Sequence, residues 1–128
     1  MFPCYGFIIM HENKTILCKT DNGYYSFPKG KRNKPETEKQ TALRELQEET
    51  GILENEIIQT EYFFEEKSDK GFPSVKYFVA KLKELKDFTF DETELESVDW
   101  YTLEEALNLD KLKEARKFII KELIKINI

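Results

Sequence analysis

The chain has 128 residues, 40% hydrophobic and 35% charged, with a net charge of −5 at pH 7. That length suits one domain able to bury roughly two thirds of its surface without disulfides, and the acidic total argues against broad binding to nucleic acid or anionic membranes. Two cysteines without a C-x-x-C pair, Cys4 and Cys18, and a single histidine, His11, argue against a zinc site and suit buried thiols in a reducing compartment.

In chain order, Tyr5–Met10 (YGFIIM) reads as a buried strand, His11-Glu12-Asn13 as a turn and Lys14–Lys19 as a second strand. Asn22-Gly23 marks a tight turn before a short aromatic strand, Tyr24–Phe27, which Pro28 stops. Lys29–Pro35 (KGKRNKP) is expected as a basic loop. A helix follows, with Thr37 and Gln40 spaced as a capping box, Ala42, Leu43 and Leu46 as its apolar stripe and Gly51 as its left-handed stop. Glu56–Glu65 and Ser74–Leu82 read as strands joined by KSDKGFP, and Ser97–Tyr101 as another. Tyr62, Phe63 and Phe64 are expected in hairpin and core. Thr102 can cap a helix over Leu103–Leu107. The last helix runs from about Lys111 to Ile126, its stripe formed by Leu112, Ala115, Phe118, Ile119, Leu123 and Ile126. The mixture favours a mixed sheet flanked by helices in one domain. With no signal peptide and no apolar run near the roughly 18 residues of a membrane span, a cytoplasmic protein that avoids membranes is expected.

The chemistry concentrates between Gly30 and Ile52. Glu45, Glu48 and Glu49 stand at i, i+3 and i+4, so three carboxylates share one helical face and repel each other. A hard divalent cation offsets that repulsion. Arg44, four residues before Glu48, can fix its carboxylate. Gly30 lets the backbone approach another group closely, and Glu36 lies near the helix start, where negative charge suits the dipole.

Spelled out, the segment is Gly30, Glu36, Arg44-Glu45-Leu46, Glu48-Glu49 and Gly51-Ile52 at the Nudix-box spacing, so the chain resembles the Nudix superfamily. At roughly 6–7% usage per residue type, chance produces seven such identities about once in a hundred million start sites. Within the superfamily it is most similar to the asymmetrically cleaving diadenosine tetraphosphate hydrolases. Gly6–Ile9 resembles their first strand, Tyr25–Gly30 (YSFPKG) their W-x-x-P-K-G, and Val75–Ala80 their T-V-x-Y strand. Glu94 with Trp100 and Leu103-Glu104-Glu105-Ala106 resembles their terminal pattern. Lys31 departs from the His common after P-K-G and matches the wording of mRNA decapping members.

The resemblance implies a Nudix α/β/α sandwich and Mg²⁺-dependent hydrolysis of a phosphoanhydride bond, with Mn²⁺ as a substitute. The expected substrate is a nucleotide, diadenosine tetraphosphate, cut to ATP and AMP. It implies Glu45, Glu48 and Glu49 as metal ligands or bases, with Gly30 at the metal. Glu94 becomes a further ligand or base, Arg44 the holder of Glu48, and Glu36 and Gly51 orienting residues. Lys29 and Lys31, with Arg32 beside them, would offset phosphate charge. Tyr77 would face the nucleotide, with Tyr25 and then Phe78 as further aromatic candidates. RNA is a partner only under a decapping reading. The same resemblance also admits hydrolysis of diphosphoinositol polyphosphates, or a non-catalytic domain that only binds nucleotide. A monomer or weak dimer is expected.

Overall fold

A computed structural model describes residues 2–128. β1 (Cys4–His11) is the apolar run, buried along nearly its whole length and hence internal to the sheet. It turns at Glu12-Asn13 into β2 (Lys14–Thr20), antiparallel to it. The Asn22-Gly23 turn leads to β3 (Tyr25–Ser26), which returns along β2. β4 (Lys29–Lys31) lies where a loop is expected. Its polar side chains hide a strand because its pairing is with the backbone of Cys4–Gly6 in β1.

α1 (Glu38–Thr50) carries both predicted caps. The Gln40 N–H donates to Thr37 Oγ1 at 3.1 Å, and the Thr37 N–H donates to the Gln40 side chain at 2.8 Å. At the other end Gly51 has φ 81°, the left-handed region, and its N–H donates to the Gln47 carbonyl at 2.9 Å.

A single 3₁₀ turn (Glu54–Glu56) precedes β5 (Ile57–Lys67), which forms a hairpin with β6 (Pro73–Leu82). β6 runs parallel to β1 from Cys4 to Met10. β7 (Leu95–Thr102) is longer than expected because it pairs antiparallel with all of β2. The sheet is therefore mixed, with order β3-β2-β1-β6-β5, β4 joined to β1 and β7 to β2.

α2 (Leu103–Leu107) follows directly, capped by Thr102. α3 (Glu114–Ile126) begins later than Lys111, which lies in a turn with its carbonyl occupied by the N–H of Tyr25 at 2.9 Å. Its apolar stripe is also rotated from the expected one. Phe118 is 63% exposed, while Arg116, Ile119, Ile120 and Leu123 face inward. Tyr62 and Phe63 are likewise exposed on edge strand β5 rather than packed in the core.

Strand alternation divides the core in two. Tyr5, Phe7 and Ile9 of β1 meet Ala42 and Leu46 of α1. Ile8 and Met10 face the other way, toward Leu103 and Ala106 of α2 and Ile119, Ile120 and Leu123 of α3. This is the expected α/β/α sandwich. Cys18 is buried, Cys4 is only half-buried, and both are free thiols. Among the described residues no helix is long and apolar enough to cross a membrane.

Candidate active site

β4 and α1 are anchored side by side, and this places Gly30 against Glu45. A Cβ built on Gly30 overlaps the Glu45 carboxyl group, so only glycine leaves that carboxyl its position. One turn on, Glu49 stands beside Glu45 and lines the same space as the Cys18 thiol of β2. Burial, and after it the charge of Glu45, lifts the Glu49 carboxyl to about 8. Burial also raises Glu45, while Glu49 and Arg44 beside it pull the other way. Two carboxyls therefore share a poorly solvated site, and burial favours the protonated form of each.

Arg44 organises the remaining acids. Its Nε donates to Glu36 at 2.6 Å, its Nη1 to Glu45 and to Glu48, each at 3.0 Å, and its Nη2 to the Lys31 carbonyl at 2.8 Å. Arg44 does hold Glu48, but its shortest bond is to Glu36. Glu36 also accepts from the Asn33 N–H at 3.0 Å and from Thr41 Oγ1 at 3.1 Å. The Arg44 guanidinium above all, then the Asn33 N–H, hold the Glu36 carboxyl at about 2. One rigid guanidinium thus ties β4 to the box helix.

A cavity of about 210 Å³ opens beside this assembly, lined by Cys18, Lys29, Glu49 and Glu94 among others. Glu94, from the segment before β7, and Lys29, from β4, therefore reach the same space as Glu49. The other substrate candidates do not line it. Lys31 is an exposed side chain whose carbonyl serves Arg44, and Arg32 donates from Nε to the Glu36 carbonyl at 2.7 Å. Tyr25 packs edge-on to Tyr101, with Lys19 Nζ 5.8 Å from its ring centre, in a separate groove. Phe78 sits on the α1 side of the sheet under Lys39 and Lys76.

The expectation for Tyr77 is corrected outright. Its side chain has no exposed surface, its ring meets Phe27 edge-on at 5.1 Å, and its hydroxyl donates to Glu66 at 2.9 Å. No face is left on which a base could stack.

A family model described as the NUDIX domain matches residues 5–123 of the chain. The chain belongs to the Nudix family. It is 31% identical over 106 residues to the asymmetrical bis(5′-nucleosyl)-tetraphosphatase of Sus scrofa, covering 79% of this chain and 72% of that one. The Rattus norvegicus protein of the same name is 32% identical over 113 residues, covering 82% and 77%. Among solved structures, a binary complex of C. elegans Ap4A hydrolase superposes with a TM-score of 0.85 at 21% identity, covering 96% of each chain. A Nudix hydrolase from M. smegmatis superposes with a TM-score of 0.77 at 15% identity, covering 98% of this chain and 84% of that one. These likenesses place the fold.

Nudix hydrolases generally use divalent metals, and the donor set suits one. Glu45 and Glu49 are oxygen donors whose mutual repulsion a cation relieves, and Mg²⁺ typically takes one or two carboxylates together with water and substrate phosphate. Among the described residues no three Cys, His, Asp or Glu groups are gathered closely enough to hold a metal ion by themselves, which leaves substrate phosphate and water to complete its coordination. Arg44 bonds Glu45 and Glu48 alike, each at 3.0 Å, and Glu48 is 52% exposed, so it stands as a third oxygen donor on the same helical face.

Three neighbours of the site escape a reading of the Nudix box alone. Cys18 lines the same space as Glu49 from β2, and a cysteine in an apolar strand gives no sign of which acid it will face. Lys113 and Arg116 enter from the end of the chain. Arg116 did leave a trace, because it stands three and four residues before the apolar Ile119 and Ile120, on the inward face.

Proposed function

We propose that this Nudix pyrophosphohydrolase cleaves diadenosine tetraphosphate asymmetrically, to ATP and AMP, with Mg²⁺ as its cation. The observation that carries the chemistry is the cavity in which half-buried Glu49, beside Glu45, faces Glu94 and Lys29. The substrate follows from the asymmetrical tetraphosphatases, which match about four fifths of the chain at 31–32% identity.

Glu45 and Glu49, with Glu48 beside them on the same helical face, are the residues that would hold the cation. When bound, Mg²⁺ neutralises phosphate charge and lowers the pKa of a water. The chain supplies the rest. Arg44 fixes Glu45 and Glu48, so the acidic face does not rearrange as charge develops. Glu94 approaches the cavity from outside the box and is assigned as a further ligand or as the base that takes the proton of the attacking water. Lys29 offsets negative charge on the phosphate chain. Water forms a new P–O bond, the bridging P–O bond breaks, and the proton leaves to a carboxylate.

Incubation of purified protein with Mg²⁺ and diadenosine tetraphosphate, in parallel with cap-labelled RNA, tests this by chromatography of the products. ATP plus AMP from the first, lost in Glu45→Gln, is the expected result. Release of methylated guanosine diphosphate from the RNA, with the dinucleotide untouched, would overturn the substrate and make the chain a decapping enzyme.

A further inference from the structure

We propose that a second cavity, walled by Lys29, Lys113 and Arg116, is a polyphosphate subsite that holds the phosphate groups not under attack. Its place in the reaction rests on the hydrolase reading above; its existence as an anion site does not.

This cavity measures about 240 Å³ and shares Thr20, Ser26 and Lys29 with the carboxylate cavity. The two spaces have opposite character. The first sets Glu49 and Glu94 against one cation, whereas the second has three cationic residues and no acidic residue in its lining. Its remaining walls, Asn22 and Tyr24 included, are uncharged. In a chain of net charge −5, such a lining is a local reversal of sign, and local sign is what concentrates an anionic ligand. The three cations come from β4, from the residue before α3 and from the first turn of α3. The fold brings Lys29 of β4 to Lys113 and Arg116 at the start of α3, far along the chain, so the three are not one basic run that happens to be solvated.

Their pairing is equally uneven. Among the described residues, neither Lys29 nor Lys113 has a carboxylate within ion-pair distance. Arg116 is 5% exposed and bonded to Glu66 through Nε at 3.0 Å and Nη2 at 3.3 Å, and to the Tyr25 carbonyl through Nη1 at 2.8 Å. A guanidinium has five N–H donors, so these three bonds leave two. Glu66 balances the charge of Arg116, which makes Arg116 a rigid source of N–H groups and leaves the net positive field to the two lysines. Rigid guanidinium donors beside mobile ammonium groups form the combination that binds phosphate.

Lys29 stands in the shared wall. A phosphate chain with one phosphorus at the carboxylates passes Lys29 and meets Lys113 and Arg116 next. The chain length of the substrate would then be read by how many phosphates reach the second cavity.

Calorimetric titration of inorganic tripolyphosphate into the intact protein, with no added metal, tests the site directly. Lys113 is exposed, so Lys113→Gln leaves the core unaltered. Lys121→Gln, also exposed and on α3, matches its charge change away from the cavity. Wild type is expected to bind in a salt-dependent manner, Lys113→Gln at least about tenfold more weakly (about 1.4 kcal/mol) and Lys121→Gln within about twofold of wild type. Equal weakening in both variants, or no binding by wild type, overturns the site. If the protein binds tripolyphosphate in this pattern yet leaves diadenosine tetraphosphate intact, the anion site stands and the substrate reading falls. If it cleaves the dinucleotide, KM should rise in Lys113→Gln with kcat little changed, as for binding shared by ground and transition states.

Discussion

The Glu45 carboxyl rests on the bare Cα of Gly30, so β4 and α1 meet where a single methyl group would evict a carboxylate. Gly30→Ala should therefore displace Glu45 while leaving the strand pairing intact. A misplacement of about 1 Å at a reacting site costs on the order of 10²-fold, and overpacking costs about 1–3 kcal/mol of stability. Steady-state kinetics and urea denaturation of the variant measure the two effects separately. Wild-type turnover in Gly30→Ala would show that the position of Glu45 has no part in the reaction.

The Glu36–Arg44 pair makes a prediction in acid. The folded state holds the Glu36 carboxyl at about 2, below its ordinary 4.5. The unfolded chain therefore binds a proton first as pH falls, and linkage removes stability in that window. The contribution is complete above about 4.5 and gone below about 2. Thermal melts of wild type and Glu36→Gln across this range should converge toward low pH, the variant showing the shallower slope. Glu56, Asp91 and Glu105 are also held below their ordinary values, so some slope should persist in the variant. Parallel curves would mean that Glu36 is not held as described.

Helix α1 was legible because its signals are local. Thr37 and Gln40 cap its start and Gly51 its end as read, and the i, i+3, i+4 glutamates fall within it, each signal acting within a few residues. Strand β4 was not, since Lys29, Gly30 and Lys31 have no apolar alternation and are ordered by the backbone of β1, more than twenty residues earlier. Tyr77 failed for a related reason. Alternation puts it on one face of β6, but only the fold says that this face meets α3, with Glu66 and Arg116 buried beside it. The same arrangement turned α3 so that Arg116 faced inward and Phe118 outward. The cavity cations depend on that rotation, which is why the box and its spacing disclosed the acidic face of α1 but not the cationic cavity beside it.

Glu49 gives a prediction of opposite sign. With its folded pKa raised from 4.5 to about 8, the native state without metal keeps a proton that the unfolded chain has lost. Stability of the metal-free protein should fall as pH rises from about 4.5 to 8. Glu49→Gln, permanently neutral, should lack this part of the slope and melt higher than wild type at pH 8 in EDTA, at about 4 °C per kcal/mol. Saturating Mg²⁺ should raise the wild type more than the variant, because Glu49 would be one of the carboxylates that hold the cation. Identical melting of the two proteins in EDTA at pH 5 and pH 8 would contradict the burial of this carboxyl.

Tyr77→Phe separates a core role from a nucleotide-facing one. The substitution removes only the hydroxyl that donates to Glu66 at 2.9 Å and keeps the ring against Phe27. A bond to a carboxylate contributes about 1.5–3 kcal/mol, and Glu66 retains both of its bonds from Arg116. Urea denaturation should show a loss within that range. Kinetics of the folded variant should stay within about twofold of wild type, since no catalytic group moves and uniform binding is untouched. A large rise in KM with unchanged stability would return Tyr77 to the substrate and refute the buried network. A loss of stability with unchanged KM would fix it as part of the tie between α3 and the sheet.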